Sequence, residues 1–233
     1  MPKKLTRKQK EVAKKHDFAK EYHLEEGIKL VKDTHTAKFD ASVDLAINLG
    51  VDPKKAEQMV RDTVSLPHGT GKVPTILVLC TPEKEKEAKE AGADYVGIEQ
   101  YLKKIATGWT DIDVIVTQPS LMPKIAKLGK IIGPKGLMPN PKSGTVTPDV
   151  AKAVKEIKAG RKSFRVDSYG IVHAPIGRVS FSPEQLQENV SELLTLIQRL
   201  KPNTAKGTYV KAITLSSTMG RGVHIDKENA LKA

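Results

Sequence analysis

The residues of this chain whose types and spacing best suit binding chemistry lie in the stretch LGKIIGPKGLMPNPKSGTVT, from Leu128 to Thr147. No aspartate or glutamate occurs between Leu128 and Pro148, so the lysine ammonium groups there can meet an anion such as a phosphate without competition from a neighbouring carboxylate. They can also brace a neighbouring segment. The lysines in or just before this stretch, called the lysine loop below, are Lys127, Lys130, Lys135 and Lys142.

The lysine loop is rich in the two residues with unusual backbones. Glycine admits backbone angles that are closed to other residues, whereas proline fixes one angle and removes a hydrogen-bond donor. We therefore expect a loop of defined shape that forms neither helix nor central strand. Its glycines and prolines are Gly129, Gly133, Gly136, Gly144, Pro134, Pro139 and Pro141.

Two known motifs compete for the lysine loop, and neither fits. The phosphate-binding pattern GxxxxGK[ST] ends like Lys142-Ser143, but Pro141 occupies its required glycine. The Gly-x-x-Gly clamp of KH domains is matched from Gly133 to Gly136, but that clamp leads directly into a helix. Here Pro139-Asn140-Pro141 follows, and its prolines exclude a helix in the next turn.

Composition indicates a polyanionic partner. The chain has 233 residues, enough for one large or two modest domains, and a net charge of +12. Its pI near 9.6 is typical of a nucleic-acid-binding domain. Aromatic residues make up only 4%, so any base stacking depends on very few side chains. The single cysteine, Cys80, lies in an apolar run and is predicted to be a small buried hydrophobe, with no disulfide, as in a reducing compartment.

The sequence shows no long apolar run and no signal peptide, and we expect a soluble cytoplasmic protein.

Residues 3–20 carry eight lysines and arginines against only Glu11 and Asp17. From Thr6 the pattern suits a helix, which is either a solvated amphipathic helix or a basic arm along phosphates, and both remain open. A second helix is expected from His23 to Lys32.

The middle of the chain alternates strands and helices, the rhythm of a parallel sheet covered by helices. The predicted strands are 75–80, 94–96 and 114–117, and the predicted helices are 82–91, 98–107 and 121–128. A further helix is expected to begin at a Thr147 cap followed by Pro148 and to end at Gly160. No Gly-x-Gly-x-x-Gly follows the first strand, and the acids of Thr81-Pro82-Glu83-Lys84-Glu85 would repel a pyrophosphate, which argues against a nucleotide-dependent enzyme.

The two ends of the chain have a different pattern. A half-buried strand is expected from Ser42 to Leu49, and Pro53 is expected to open a short helix through Arg61. His173 is expected to be structural, because no second metal-binding residue is nearby in sequence. Towards the C-terminus the predicted elements are a hairpin of strands 163–167 and 171–176, a helix that Ser182 caps and that runs to about Arg199, and a strand at 209–216.

Strands and helices from both ends suit one α+β layer, so the chain ends are predicted to share a domain. The predicted fold is a split α+β outer domain, residues 1–67 and 161–233, with an inserted α/β three-layer, Rossmann-like domain, residues 68–160. The segment from Ser65 to Gly71 contains a proline and two glycines and is the expected hinge.

Two short segments at strand ends are candidate RNA contacts. Lys38-Phe39 precedes strand 42–49, where residue type alone favours a core aromatic for Phe39, and its RNA-binding role is what the resemblance given below implies. The segment from Ser216 to Gly220 follows the last strand, and it is either an ordinary loop or an RNA contact. Its hydroxyls suit phosphate or the ribose 2′-hydroxyl, Met219 offers an apolar face, and Gly220 allows close backbone approach.

The lysine loop, the Lys38-Phe39 pair and Thr218-Met219-Gly220 together resemble the L-one family of large-subunit ribosomal proteins, bacterial type, over almost the whole chain. That resemblance implies the two-part architecture, a signature loop and an rRNA-binding surface. The signature loop comprises Gly129, Gly133, Pro134, Lys135, Gly136, Pro139, Asn140, Pro141, Lys142 and Gly144. The residues assigned to the rRNA-binding surface are Lys38, Phe39, Ser42, Ser216, Ser217, Thr218, Met219 and Gly220.

By the same resemblance, the chain is expected to be a structural part of the large ribosomal subunit and not an enzyme. The implied partners are large-subunit rRNA, exit-site tRNA, whose release after deacylation it would assist, and its own operon mRNA, whose translation it would repress. No cofactor and no metal are expected. The competing hypothesis is a free RNA-binding regulator or chaperone outside the ribosome.

Overall fold

The computed structural model describes residues 12, 16–18 and 20–231. The basic helix expected from Thr6 therefore lies almost entirely outside the described residues. The chain divides into two compact units. Unit 1 joins the residues up to Gly71 with those from Phe164 onward, and unit 2 is Lys72–Ser163.

The described strands and α-helices are numbered here in chain order. The strands are β1 (Glu21–Tyr22), β2 (Ser42–Leu49), β3 (Arg61–Ser65), β4 (Ile76–Leu79), β5 (Tyr95–Val96), β6 (Val114–Thr117), β7 (Arg161–Arg165), β8 (Ile171–Arg178), β9 (Val210–Ser217) and β10 (Val223–Ile225). The α-helices are α1 (Leu24–Asp33), α2 (Glu85–Glu90), α3 (Glu99–Ala106), α4 (Met122–Ala126), α5 (Gly129–Ile132), α6 (Val150–Lys158), α7 (Pro183–Arg199) and α8 (Lys227–Ala230).

The largest sheet belongs to unit 1 and has the strand order β1-β10-β9-β2-β8. Its strand β2 runs antiparallel to both β9 and β8. The side chains of β2 alternate between half-buried and buried, as the sequence pattern predicted, because successive residues of a strand face opposite sides. The buried side chains of β2 join a core shared with α1 and α7, and they are Val43, Leu45, Ile47 and Leu49.

Helix α7 begins where the sequence predicts. The Ser182 hydroxyl accepts a hydrogen bond from the Gln185 N–H at 3.2 Å, and the Gln185 side chain accepts one from the Ser182 N–H at 3.0 Å. This capping box satisfies backbone donors that the first helical turn leaves free. The predicted apolar stripe of α7 is buried, and it comprises Leu186, Val190, Leu193, Leu194 and Ile197.

The buried stripe of α7 also contains a polar residue, Asn189, that periodicity did not single out. Its amide nitrogen donates to the Ile176 carbonyl at 2.7 Å and to the Gly69 carbonyl at 3.1 Å. Its amide oxygen accepts from the His68 N–H at 3.2 Å. One buried side chain thus connects α7 to β8 and to the segment of His68 and Gly69.

Unit 2 is built on a three-stranded sheet of order β5-β4-β6, in which both pairings are parallel. Strand β4 is buried along its whole length, because helices cover both of its faces. Ile76 and Val78 pack in one cluster with residues of α2 and α6, whereas Leu77 and Leu79 pack in another with residues of α3 and α4. The strand and helix rhythm predicted for this segment is confirmed.

The helix expected after Pro53 is not formed. That segment contains only a 3₁₀ turn at Ala56–Gln58, and strand β3 begins at Arg61. The reason is a pairing that the local sequence does not reveal, since β3 and β7 form a separate two-stranded sheet.

The same pairing alters the predicted hairpin. The expected turn is present, with the Asp167 carboxylate accepting from the N–H groups of Tyr169 and Ile171, each at 2.8 Å. However, β7 and β8 belong to different sheets and are joined by a single bridge between Val166 and Val172. The prediction of a two-stranded hairpin was therefore wrong.

Two helix starts also differ from expectation. The Asp149 carboxylate, not Thr147, caps α6, by accepting from the Lys152 N–H at 3.1 Å. Thr147 instead accepts from the Asp149 N–H at 3.2 Å.

The lysine loop begins with the short helix α5, so the prediction that no part of it is helical was wrong. A single helical turn tolerates Gly129, because its hydrogen bonds need only four or five residues.

We predict that Asn189→Leu destabilises the protein by about 2–4 kcal/mol, because it strips hydrogen bonds from one donor and two acceptors that are held against a buried side chain. Urea unfolding of both proteins measures the difference. Thr195→Leu is the matched control, since Thr195 is exposed on the same helix. A loss for Asn189→Leu no larger than that of the control would contradict the role given to Asn189.

Candidate nucleic-acid interface

Strand pairing brings the two candidate segments together at one end of the large sheet. Residue Val43 of β2 lies opposite Ser217 of β9, and Asp44 lies opposite Ser216. The chain enters β2 and leaves β9 at the same end, because the two strands are antiparallel. Segments that are about 180 residues apart in sequence therefore form one surface.

Hydrogen bonds between Thr218 and Ser42 fasten the two segments to each other. The Thr218 N–H donates to the Ser42 carbonyl at 3.1 Å. The Thr218 hydroxyl accepts from the Ser42 N–H at 3.1 Å and lies 3.3 Å from the Ser42 carbonyl. These bonds extend the strand pairing by one residue, so the loops beyond it start from a fixed point. Thr218 thus has a positioning role, whatever else its exposed side chain contacts.

Two large apolar side chains project from these loops into solvent. Phe39 is 54% exposed and Met219 is 60% exposed. The alternative that Phe39 is a core aromatic is therefore wrong. Exposed aromatic and thioether groups next to an exposed lysine, Lys38, suit contact with a sugar or base together with its phosphate.

The remaining candidate residues are less accessible. Ser42, Ser216 and Gly220 are half-buried. Ser217 is only 3% exposed, so its hydroxyl does not face solvent as the sequence analysis assumed, and we leave it out of the contact surface.

Gly220 has an internal packing reason of its own. Its N–H donates to the Ser217 carbonyl at 2.9 Å. A Cβ at this position would lie 2.3 Å from the Ser217 hydroxyl oxygen, which is closer than any real contact. A side chain at this position therefore requires the Ser217 hydroxyl to move.

Three residues of this region were not singled out from the sequence, and they are Asp40, Arg178 and Ser180. Ser42 pairs with Arg178 at the end of β8, and the Arg178 guanidinium donates to the Asp40 carbonyl at 2.8 Å. The Asp40 carboxylate accepts from the Ser180 N–H at 3.1 Å and from its hydroxyl at 2.9 Å. This network holds the segment that carries Phe39. No signal along the sequence could reveal it, because it depends on which strand lies beside β2.

Arg221 has a role that sequence did not assign. Its guanidinium carbon lies 4.8 Å from the centre of the Phe18 ring, a cation–π contact with a buried aromatic. The contact fixes the residue that follows Met219 and Gly220, and it links the loop after β9 to the N-terminal segment.

Asp44 is the acidic group on β2 beside this surface. Its side chain is half-buried, and β2 bulges between Val43 and Asp44 where it pairs with β8. Burial raises the pKa of the Asp44 carboxyl above its usual value, and the positive field of His173 opposes that shift. His173 itself lies on an exposed strand position, 3.5 Å from the Asp167 carboxylate.

The lysine loop forms a second structured feature, within unit 2. The Asn140 side chain accepts from the Lys142 N–H at 3.0 Å, and the Asn140 N–H donates to the Thr145 hydroxyl at 2.8 Å. Gly144 closes this turn with φ +69, a left-handed value that glycine adopts freely. Val146 then forms a parallel bridge with Thr117 at the end of β6. The predicted defined shape thus comes from a hydrogen-bonded turn anchored on the sheet.

Nothing in the described residues resembles a metal centre, since no three His, Cys, Asp or Glu side chains there are grouped to hold an ion. Cys80 is fully buried, as predicted, and burial raises the pKa of its thiol. A buried thiol with a raised pKa is a poor nucleophile. No helix within the described ranges is long and apolar enough to cross a membrane.

We predict that Asp44→Asn raises the thermal unfolding midpoint near pH 7. A carboxyl with a raised folded-state pKa costs stability only where it ionises, so the cost is full above that pKa and absent below the ordinary value of 3.8. The gain from the variant should therefore shrink as the pH falls and vanish below about 3.8. Midpoints measured by circular dichroism across this range test it. Glu192→Gln, at an exposed position of α7, is the control and should show no such gain.

Sequence comparison identifies the family. The model described as the ribosomal protein L1p/L10e family matches residues 31–221, a range that holds both candidate segments and the lysine loop. The large ribosomal subunit protein uL1 of Amoebophilus asiaticus is 62% identical over 223 residues, 96% of each chain. Proteins of the same name from Bacteroides thetaiotaomicron (60% over 226 residues, 97% of each chain) and Porphyromonas gingivalis (59% over 223 residues, 96% of each chain) are similar as well. The chain belongs to the ribosomal protein L1p/L10e family.

Proposed function

We propose that the protein is a structural component of the large ribosomal subunit that binds rRNA through unit 1, and that it works in the cytoplasm and is not an enzyme. The observation that carries this proposal is the Thr218–Ser42 connection, which holds exposed Phe39 and Met219 at one end of the sheet. The names of the relatives, large ribosomal subunit protein uL1, support the ribosomal assignment. The net charge of +12 supports a polyanionic ligand.

The contact surface proposed within unit 1 comprises two kinds of groups. Lys38 is placed to meet phosphate, whereas Phe39 and Met219 are placed to pack on sugars or bases. The rest of the proposed surface consists of backbone and hydroxyl groups next to these side chains. They belong to Ser42, Ser216, Thr218 and Gly220. The exposure of Phe39 and Met219 leaves both side chains accessible to a ligand.

Family membership also suggests finer roles. The bound rRNA would be that of the mobile stalk near the exit site, and the protein would assist release of deacylated tRNA from that site. It would also repress translation of its own operon mRNA by binding an RNA fold like that of the stalk. We propose these roles for this chain, and its division into two compact units supports a protein that can span more than one RNA element.

We further propose that the units are independent domains, an α+β domain from both chain ends and an inserted Rossmann-like α/β domain. Each unit has its own hydrophobic core, which supports separate folding. A protein that joins residues 1–71 to 164–233 through a short glycine linker should unfold cooperatively and bind stalk rRNA. Residues 72–163 expressed alone should fold as well. An unfolded joined protein would contradict the proposal, and circular dichroism with urea unfolding decides it.

For the rRNA surface, we predict that Phe39→Ala and Met219→Ala leave the thermal midpoint within about 2 °C of the parent, because both side chains are exposed. If Phe39 stacks on a nucleotide, its loss should weaken binding to a stalk rRNA fragment by about 1–3 kcal/mol. Filter binding at fixed salt measures the affinity.

Tyr169→Ala is the matched control for this experiment. Tyr169 is 82% exposed, and it lies by the opposite end of β2, where Asn48 pairs with Ile171. Its removal should leave the affinity unchanged. Equal losses in Tyr169→Ala and Phe39→Ala would place the surface elsewhere. Recovery of the protein free of large subunits after sedimentation at moderate salt would favour a free RNA regulator instead.

A further inference from the structure

Unit 2 carries an uncompensated basic surface that the proposed rRNA contact of unit 1 does not use. Between Asp113 and Asp149 the sequence has no acidic residue and five lysines, and all five are exposed. None of them forms an ion pair within the part of the chain that the structure describes. These lysines are Lys124, Lys127, Lys130, Lys135 and Lys142.

Three aromatic rings cluster in the same unit. Trp109, the single tryptophan of the chain, lies 5.2 Å from the ring of Tyr95 and 5.8 Å from that of Tyr101, measured between ring centres. All three rings are only partly buried, although the chain has few aromatics. Partly exposed rings in a group offer flat apolar surface of the kind on which nucleic-acid bases stack.

The rings and the lysine loop form one continuous surface. The Lys135 ammonium group bonds to the hydroxyl of Thr110, the residue after Trp109. Trp109 also shares a hydrophobic cluster with Leu128, Ile131 and Leu137 of the lysine loop. Positive charge and aromatic faces are thus adjacent by packing and not only by sequence.

A lysine, not the protein core, covers part of the aromatic faces. The Lys104 ammonium group lies 5.2 Å from the centre of the Tyr101 ring and 5.8 Å from that of Trp109. Lys104 is exposed, so its flexible side chain can move to a phosphate and leave the rings open to a base. The cation–π contact keeps an apolar patch covered until such a ligand arrives.

We propose that unit 2 carries a second RNA-binding surface, on which Trp109 and Tyr101 stack on an unpaired base while the lysines between Asp113 and Asp149 contact phosphates of the same strand. This surface is separate from the one around Phe39 and does not depend on it. Unit 2 holds 16 basic and 10 acidic side chains and unit 1 holds 23 and 17, so each has a net charge of +6. An acidic peptide would satisfy the lysines but would leave the aromatic rings without a partner.

The test uses the intact protein and the fluorescence of Trp109, titrated with octauridylate at low salt. The chain has no other tryptophan, so the fluorescence signal comes from unit 2 alone. We expect saturable quenching. If all five lysines neutralise phosphates, the affinity should fall by about a hundredfold between roughly 50 and 200 mM salt. A glutamate octapeptide should not quench.

Two double variants separate this surface from general charge. Lys130→Gln with Lys142→Gln should weaken the quenching affinity about tenfold, since it removes two phosphate contacts. Lys86→Gln with Lys89→Gln is the matched control, because it removes the same charge from exposed positions of α2 in the same unit. Its affinity should stay within about twofold of the parent.

The aromatic part is tested with labelled octauridylate. Trp109→Phe keeps a ring and should keep most of the affinity, whereas Trp109→Ala should lose about tenfold if the base stacks there. Absence of quenching at low salt would overturn the proposal. Equal losses in the two double-lysine variants, or quenching by the glutamate peptide as strong as that by RNA, would overturn it as well.

Discussion

The antiparallel pairing of β2 with β9 is the constraint on which the rest of unit 1 depends. β2 comes early in the chain and β9 near its end, so their hydrogen bonds hold the two chain ends in one sheet. The pairing buries Leu45 and Ile47 against α1 and α7, and it places Ser42 next to Thr218. Without it the core of unit 1 would be open, and the candidate rRNA surface would not exist.

Charge is distributed so that only parts of the protein suit RNA. An open cavity beside α7 is lined by Pro67 and by Glu184, Glu188 and Glu192, and His68 pairs with Glu188 at 2.6 Å. These carboxylates repel phosphate, so this face is unsuited to nucleic acid. The lysine loop of unit 2 has the opposite character, since it holds lysines and no acid. The end of the sheet around Phe39 presents Lys38 beside two exposed apolar side chains. We propose RNA contacts at both, and they differ in construction. The first is two loops fastened across a sheet, and the second is a lysine-rich turn beside aromatic rings.

Local patterns in the sequence predicted elements whose cause is local. The alternation in Ser42–Leu49, the cap and stripe of α7, and the apolar run of β4 each reflect burial on one or two faces, and all three were confirmed. Predictions failed where a distant segment decided the outcome. Arg61–Ser65 is a strand because β7 pairs with it, and β7 and β8 are not a hairpin for the same reason. Asn189 looked like one more polar helix residue, yet two of its three hydrogen bonds reach 121 and 120 residues back in sequence, to His68 and Gly69.

By itself the sequence determined the candidate segments and their chemistry, because residue type and spacing set which groups can meet a phosphate or a base. It predicted Lys38-Phe39 and Thr218-Met219-Gly220 as partners and the lysine loop as an acid-free segment of defined shape. Only the tertiary structure decided which side chains are available. It exposed Phe39 and Met219, buried Ser217, and gave Gly220 a packing role against Ser217. The physical reason is that exposure depends on the registers of neighbouring strands, and those registers result from the whole core and not from any one segment.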